Sequence, residues 1–415
     1  MVTVNPFHAI RPRPELAKDI ATLPYDVLNS QEAYDLAKDN PYSYLHIDKA
    51  EIDLPKTLSP YDPKVYQQAA LALKTFLEKG WLVKEDAPLF YLYELTMAGR
   101  SQTGLVACTS IHDYLSGHIK KHELTRHEKE LDRINHVDAC DANTSPIFLT
   151  YRNQPDISSL IDRWQTDHAP IYDFDSFHGV IHRVWLIDDQ DTIRAISSYF
   201  HDDVPALYIA DGHHRTESAV KVGQKRLAQA AEPAESRANY FLSVLFPADE
   251  LAIYDYNRVL NVPIPENLLE QLSVSFDIAE ISAAHNKPEK KHAFTMYLEK
   301  KWYQLNLKQD KIPVGLVDSL DAAILQEQVF STIFHIHDSR SDNRIDFVGG
   351  IRGIQELEKL VDSSDFNIAF ALYPTSMTDL LAVADAGEIM PPKSTWFEPK
   401  LLSGLFLYDL ETNSR

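Results

Sequence analysis

Apolar and polar positions along this chain follow two periods, one of alternating residues and one of three to four residues, so strands and amphipathic helices are both expected. Between Pro63 and Lys79 the residues Val65, Ala69, Leu73, Phe76 and Leu77 fall on one helical face, and Gly80 supplies the stop. Ser30 reads as an N-cap for a short helix over 32–39 that Pro41 ends, and the alternation from Tyr42 to Ile47 predicts a strand. Phe90–Leu95 and Thr103–Cys108 predict a strand pair around Gly99. Asn143 to Tyr151 leads from a polar turn into a strand, Pro155 to Trp164 into a helix, Ile181 to Ile187 into a strand, and Thr192 to Tyr199 into another helix. Tyr240 to Phe246 has the continuous apolar run of a buried strand, and Pro247 ends it.

One stretch breaks this rhythm. Ala206-Leu207-Tyr208-Ile209-Ala210 is a short apolar run that stops at Asp211-Gly212, a strong turn signal. From His214 a helix is expected, with Ala219, Val222, Leu227 and Ala228 covering roughly one face. A strand that turns through glycine into a helix aims unpaired N–H groups and the positive end of the helix dipole at one spot. Asp211, His213, His214 and Arg215 ring that spot, and Gly212 gives the backbone room to bend; the combination suits a phosphate. The plainer account makes Asp211 a cap and the histidines surface residues. Packing these polar side chains into one tight turn without a spacer favours the functional reading.

Beyond about Val262 the composition shifts, with Pro263, Pro265 and Pro288 marking loops, and we expect a lobe over 1–261 and a second over 262–415. In the second lobe Phe294–Leu298 and Trp302–Leu307 predict a hairpin, Asp321–Phe334 a helix, Ile345–Val348 and Phe370–Pro374 strands, and Met377–Ala386 a helix. Gly349-Gly350-Ile351-Arg352-Gly353 is a weaker anion-turn candidate, equally readable as a tight connection. Near the end, Met390-Pro391-Pro392-Lys393-Ser394-Thr395-Trp396-Phe397-Glu398-Pro399-Lys400 is a loop whose prolines hold Lys393 in place, making it the lysine of this half best suited to a phosphate or carboxylate contact. That lobe is a candidate to close over the same cleft. The fold class expected is α/β with α+β character: a mixed sheet core and an α+β C-terminal extension.

Composition narrows the chemistry. Of 415 residues 44% are hydrophobic and 24% charged, ordinary for a folded soluble protein, and the formal charge is −21. No dense lysine/arginine run offsets that charge, so no nucleic-acid partner is expected. Met1 to Ile20 lacks the apolar core of a secretory leader, and no run approaches a membrane span. Cys108 and Cys140 form no disulfide framework, so a cytoplasmic location without a membrane partner is expected. The polar stretch Ile119 to Arg133 contains Lys121, His122 and Glu123, and a helical reading puts Glu123 near His127. A zinc-protease pattern fails there, because Arg126 stands where the second histidine belongs and His127 lies about 140° around the helix from His122. His118 and His122 have the spacing of a helical pair, but the sequence offers no compelling third ligand, so no permanent metal is expected.

Two resemblances enter at this point. Pro24-Tyr25-Asp26-Val27, Asn40-Pro41-Tyr42-Ser43, Lys121-His122-Glu123, Ala210-Asp211-Gly212-His213-His214-Arg215 and Met390-Pro391-Pro392-Lys393-Ser394-Thr395-Trp396-Phe397 resemble the DUF1015 family, a domain of unknown function. The middle third, through His122-Glu123, Pro146-Ile147 and Asp211-Gly212-His213-His214-Arg215 with Ala219 and Gly223, resembles free-serine kinases of the ParB/sulfiredoxin-like fold. That second resemblance implies Glu123, with His122 and Asp211, in catalysis. It implies Gly212, His213, His214 and Arg215 on nucleotide phosphates, and Mg²⁺ arriving with ATP or ADP, with Asp211 a candidate contact to it; Lys121 and Lys393 are further candidate phosphate contacts. The stretch between Pro146 and Asp211 is longer than in those kinases and the C-terminal addition is large, which opens the identity of the substrate. A phosphotransferase of serine metabolism, acting between a nucleotide and a small hydroxyl metabolite, leads. A phosphomonoester hydrolase and a non-catalytic nucleotide-binding switch are the alternatives.

Overall fold

The structure is a computed structural model, and it describes residues 1–410. The chain divides into two compact units, one of residues Met1–Leu251 together with the segment from Pro399 on, and one of residues Ala252–Glu398. The fold is mixed α/β, as the sequence predicts.

The first unit is built on a nine-stranded mixed sheet. Its order is Ile119–Lys120, Leu207–Asp211, Ile147–Tyr151, Tyr240–Pro247, Arg100–Ser110, Phe90–Met97, Ile181–Ile187 and Tyr172–Asp175, with Val4–Asn5 also paired to Arg100–Ser110. The pair Phe90–Met97 and Arg100–Ser110 forms the antiparallel hairpin expected around Gly99. Gly104 faces Val244 and Phe246 so closely that any Cβ there would lie 2.5 Å from Val244, which is why a glycine interrupts an otherwise bulky strand. Tyr240–Pro247 runs parallel to Ile147–Tyr151 and is buried along nearly its whole length, hence the continuous apolar run. A small four-stranded sheet joins Leu82–Lys84, Ala9–Pro12, Leu407–Asp409 and Ala142–Asn143, sewing the late segment of the chain into this unit.

The helix Pro63–Glu78 starts at Asp62, whose side chain accepts from the Lys64 N–H, and carries proline at its first position. It buries Val65, Tyr66, Ala69, Ala72, Leu73 and Phe76, each large apolar side chain contributing about 1.5–3 kcal/mol. Leu77 is 37% exposed and does not join that face. Three local expectations need correction. Asn29, not Ser30, caps the first short helix, through a capping box closed by Glu32. Tyr42–Ile47 is a turn running into the helix Leu45–Asp48 rather than a strand, because the Asn40 side chain accepts from the Tyr42 N–H and Tyr44, Leu45 and Ile47 are all buried. The polar stretch after Ile119 is no continuous helix. Ile119 and Lys120 pair in parallel with Leu207 and Tyr208, and the helix begins only at His127.

The second unit is a six-stranded antiparallel sheet in the order Phe276–Ile281, Lys301–Leu307, Ala293–Leu298, Ile368–Leu372, Tyr256–Leu260 and Ile345–Gly349. Its core gathers Phe276, Phe294, Phe330 and Phe370 with Leu325 and Val329. The helix predicted over Asp321–Phe334 is α-helical for Asp321–Leu325 and then widens to a π-turn over Gln326–Ser331. No helix among the described residues is long and apolar enough to cross a membrane.

Candidate functional site

The strand Leu207–Asp211 ends in Gly212 at φ +92°, and the helix His213–Leu227 starts at the next residue. The strand is interior to the sheet, between Ile119–Lys120 and Ile147–Tyr151, with a register shift between Ile209 and Asp211 that bends it as the turn begins. Gly212 is required twice over: its backbone is left-handed, and a Cβ would lie 3.0 Å from Arg215 Nε. No side chain caps the helix at this end, where the first-turn N–H groups point along the axis toward the space before it. Thr216, Ser218, Ala219, Val220, Val222 and Gly223 form its buried face, and Gly223 lets it approach the Ala238 carbonyl, which a Cβ would meet at 2.6 Å.

The side chains of the turn divide in their orientation. Asp211 accepts from the Gly212 N–H at 3.0 Å and pairs with Lys400 at 3.3 Å and with Arg215 at 3.6 Å. Burial opposes the charge on Asp211, but Lys400 and Arg215 more than offset it and hold the carboxyl far below the usual range. Arg215 is turned inward. Its Nη1 donates to the Pro146 carbonyl at 2.6 Å, and its buried Nε has no partner. Burial works against its charge too, and Asp26, Asp211, Tyr25 and Asp48 outweigh that and keep the guanidinium protonated. It shares with Tyr25, Arg133 and Ser145 the wall of a water-sized cavity of about 20 Å³. Arg133 stacks 3.9 Å from the centre of the Tyr25 ring and reaches Asp48 at 3.5 Å.

His213 is buried and His214 half-buried, and His214 Nε2 accepts from the Arg126 N–H at 2.9 Å. The segment 121–126 therefore runs directly against the turn. Within it His122 is almost fully buried, and its ring packs edge-on to His213 with centroids 4.5 Å apart. Burial pushes the His122 imidazole down to about 4. Burial, and next the neighbouring His122, push His213 well below its ordinary value, with Asp211 acting in the opposite direction. The carboxylate of Glu123 completes the group: one ligand atom from each of His122, Glu123 and His213 lies within 4.8 Å of the others. Lys121 is exposed, with Nζ 5.7 Å from the centre of the Tyr114 ring.

The structure thus brings His122, Glu123, Asp211, Gly212, His213, His214 and Arg215 together in one unit. Lys393 belongs to the second unit. There its φ is +57°, its carbonyl accepts from Arg258 at 3.0 Å, and its Nζ sits 5.5 Å from the centre of the Tyr256 ring. Gly349 and Gly350 are packing glycines: a Cβ at Gly349 would strike Trp396 at 2.9 Å and one at Gly350 would strike Asp255 at 2.1 Å. Sequence reasoning missed Lys400, which partners Asp211 across 189 positions. The one available signal was its place at the end of the same proline-rich run that drew attention to Lys393. It also missed that His213, rather than His118, is the histidine beside His122 and Glu123; His118 hydrogen-bonds Ser116 instead.

A family model described as a protein of unknown function, DUF1015, matches residues 4–323. No curated protein matches the chain. Among solved structures it is similar to a free serine kinase mutant in complex with AMP, at 13% identity and a TM-score of 0.39, over 74% of this chain and 92% of that one. It is similar to a conserved hypothetical protein from Pyrococcus furiosus at 15% identity and a TM-score of 0.35, over 73% and 95% of the two chains. A C-terminally truncated SbnI from Staphylococcus aureus resembles it at 12% identity and a TM-score of 0.37, over 72% and 85%.

Proposed function

The chain belongs to the DUF1015 family, and from the geometry of its central turn we propose that it is a nucleotide-dependent phosphotransferase acting on a small hydroxyl metabolite, serine or phosphoserine first. One observation carries the reading. A 15-residue helix springs without a side-chain cap from a left-handed glycine at a strand end, beside two buried imidazoles and a carboxylate. Phosphoryl transfer asks a protein for positioning and charge stabilisation, and an open helix N-terminus supplies both to a phosphate. His213, His214 and the first-turn N–H groups form the cradle. Arg215, anchored on the Pro146 carbonyl, fixes the turn and contributes its positive charge from beneath. Glu123 takes the proton of the attacking hydroxyl. The choice of serine rests on the kinase-like pattern of His122-Glu123 and Asp211–Arg215.

Asp211 already faces Lys400 and Arg215, so its carboxylate fits poorly as a primary ligand for Mg²⁺. The ion would come with the phosphates of ATP or ADP and neutralise charge there, keeping most of its waters. Lys121 remains a candidate phosphate contact.

The test follows the label. Full-length protein is incubated with serine, Mg²⁺ and nucleotide carrying a labelled terminal phosphate. Label on serine supports the proposal, label in free phosphate makes the protein a hydrolase, and saturable binding without transfer makes it a switch module. Glu123→Gln should keep nucleotide affinity and lose turnover by about a hundredfold or more. Unchanged turnover in that variant would remove Glu123 from the chemistry.

A further inference from the structure

Beyond nucleotide binding, we infer that His122, Glu123 and His213 form a site for a first-row divalent transition metal of the zinc type, held by the protein itself. Two imidazoles and one carboxylate come from segments 90 positions apart and present ligand atoms within 4.8 Å of one another. Nitrogen donors in that number favour zinc, cobalt, iron or manganese over magnesium, which prefers oxygen. Three protein ligands leave a fourth position open for water or substrate, the arrangement of a reactive rather than a purely structural zinc site.

The surroundings support the ligand set. The His122 ring hydrogen-bonds the Ile209 carbonyl, and Ile209 lies in the strand that leads into the turn. A backbone carbonyl on one ring nitrogen is the usual device for orienting a metal-bound histidine and fixing its tautomer. His213 directs Nε2 at the His122–Glu123 segment, where the His122 N–H approaches it at 3.5 Å, at the outer limit of a hydrogen bond. With metal–nitrogen distances of about 2.1 Å, a tetrahedral site needs ligand atoms roughly 3.4 Å apart. Closing from within 4.8 Å to that edge takes side-chain rotation, and Glu123 lies on the unhelical segment between Lys120 and His127. Monodentate binding by Glu123 leaves its second oxygen able to accept a proton, so the site is compatible with the proposed function without depending on it.

The test uses Co²⁺ alone, with no nucleotide. Full-length protein freed of metal by chelation is titrated with Co²⁺ and followed by its visible ligand-field absorption, then back-titrated with Zn²⁺. One equivalent of Co²⁺ should bind, Zn²⁺ should displace it, and Mg²⁺ should not. Glu123→Gln and His213→Asn should each weaken binding by at least about tenfold, while His118→Ala, outside the group, should bind as the parent does. Thermal unfolding monitored on each variant separates loss of a ligand from loss of the fold, and Glu123→Gln, on a loop, keeps the test valid if His213→Asn does not fold. The inference is overturned if Co²⁺ does not bind stoichiometrically, if Glu123→Gln binds it as well as the parent, or if His118→Ala loses it. Because nucleotide is absent, a failed serine phosphorylation assay leaves this result standing, and a failed Co²⁺ titration leaves the phosphotransferase reading standing.

Discussion

Replacing Lys400 by methionine isolates the contact that holds Asp211 at the mouth of the turn. The ammonium lies 3.3 Å from Asp211 Oδ2, and the two side chains are 12% and 29% exposed. Breaking a fully buried pair by removing one partner costs about 3–5 kcal/mol. Here Asp211 keeps Arg215 at 3.6 Å and some access to water, so the loss should be smaller, about 1.5–3 kcal/mol. Because the chain has two compact units, a single global unfolding energy is a poor readout. Hydrogen exchange of peptides covering Leu207–Leu227 reports the local opening instead. That cost corresponds to exchange roughly ten- to a hundredfold faster in Lys400→Met at pH 7. The pH dependence has a defined sign. The folded carboxyl of Asp211 titrates below its unfolded value of 3.8, so the stabilisation is complete above that value and is lost as pH falls through the folded one. The gap between parent and variant should therefore be constant from pH 7 to about 5 and narrow only in acid below about 3.8. An Asp211→Asn, Lys400→Met cycle should show coupling of about 1 kcal/mol or more. Equal exchange in parent and Lys400→Met, or a gap that closes between pH 7 and 5, would refute this account of the pair.

Gly212→Ala should destabilise the turn by about 1–2 kcal/mol from its left-handed backbone alone, and by more because the new Cβ would press on Arg215. Gly99→Ala, also left-handed but with nothing within 4 Å, provides the control in the same exchange measurement and should lose less. His182 is buried between the Tyr93 hydroxyl and Ser176 Oγ, and burial pushes its pKa down to about 3. The unfolded chain thus binds that proton more readily, so stability should fall as pH drops from 6.5 toward 3, and His182→Gln should flatten the pH dependence of local opening, followed by hydrogen exchange of peptides covering Ile181–Ile187, in that window. Arg215→Ala should weaken nucleotide binding by about ten- to a hundredfold in calorimetry through loss of charge and of the Pro146 anchor, whereas Glu123→Gln should leave it nearly unchanged.

What the sequence made legible follows the range of the interactions. The strand ending at Asp211 and the helix after Gly212 are local features, written in the apolar run Ala206–Ala210, the Asp-Gly break and the spacing of Ala219 and Val222. The hairpin at Gly99 and the pair Ala293–Leu298 and Lys301–Leu307 are legible for the same reason. The Ile119–Arg133 stretch misleads because helix periodicity in a charged run says nothing of the short parallel pairing that claims Ile119 and Lys120. Tyr42–Ile47 misleads because burial on several sides at once mimics alternation over so few residues. Lys400 beside Asp211 and His213 beside His122 are contacts between segments far apart in sequence, and only the tertiary fold brings them together.

The central claim is that the turn at Gly212 receives phosphate, and a crystal structure with a non-hydrolysable ATP analogue and Mg²⁺ tests it most directly. The account predicts phosphate oxygens within about 2.7–3.2 Å of the backbone N–H groups that open the helix His213–Leu227. A nucleotide bound with its phosphates away from that helix end would contradict it.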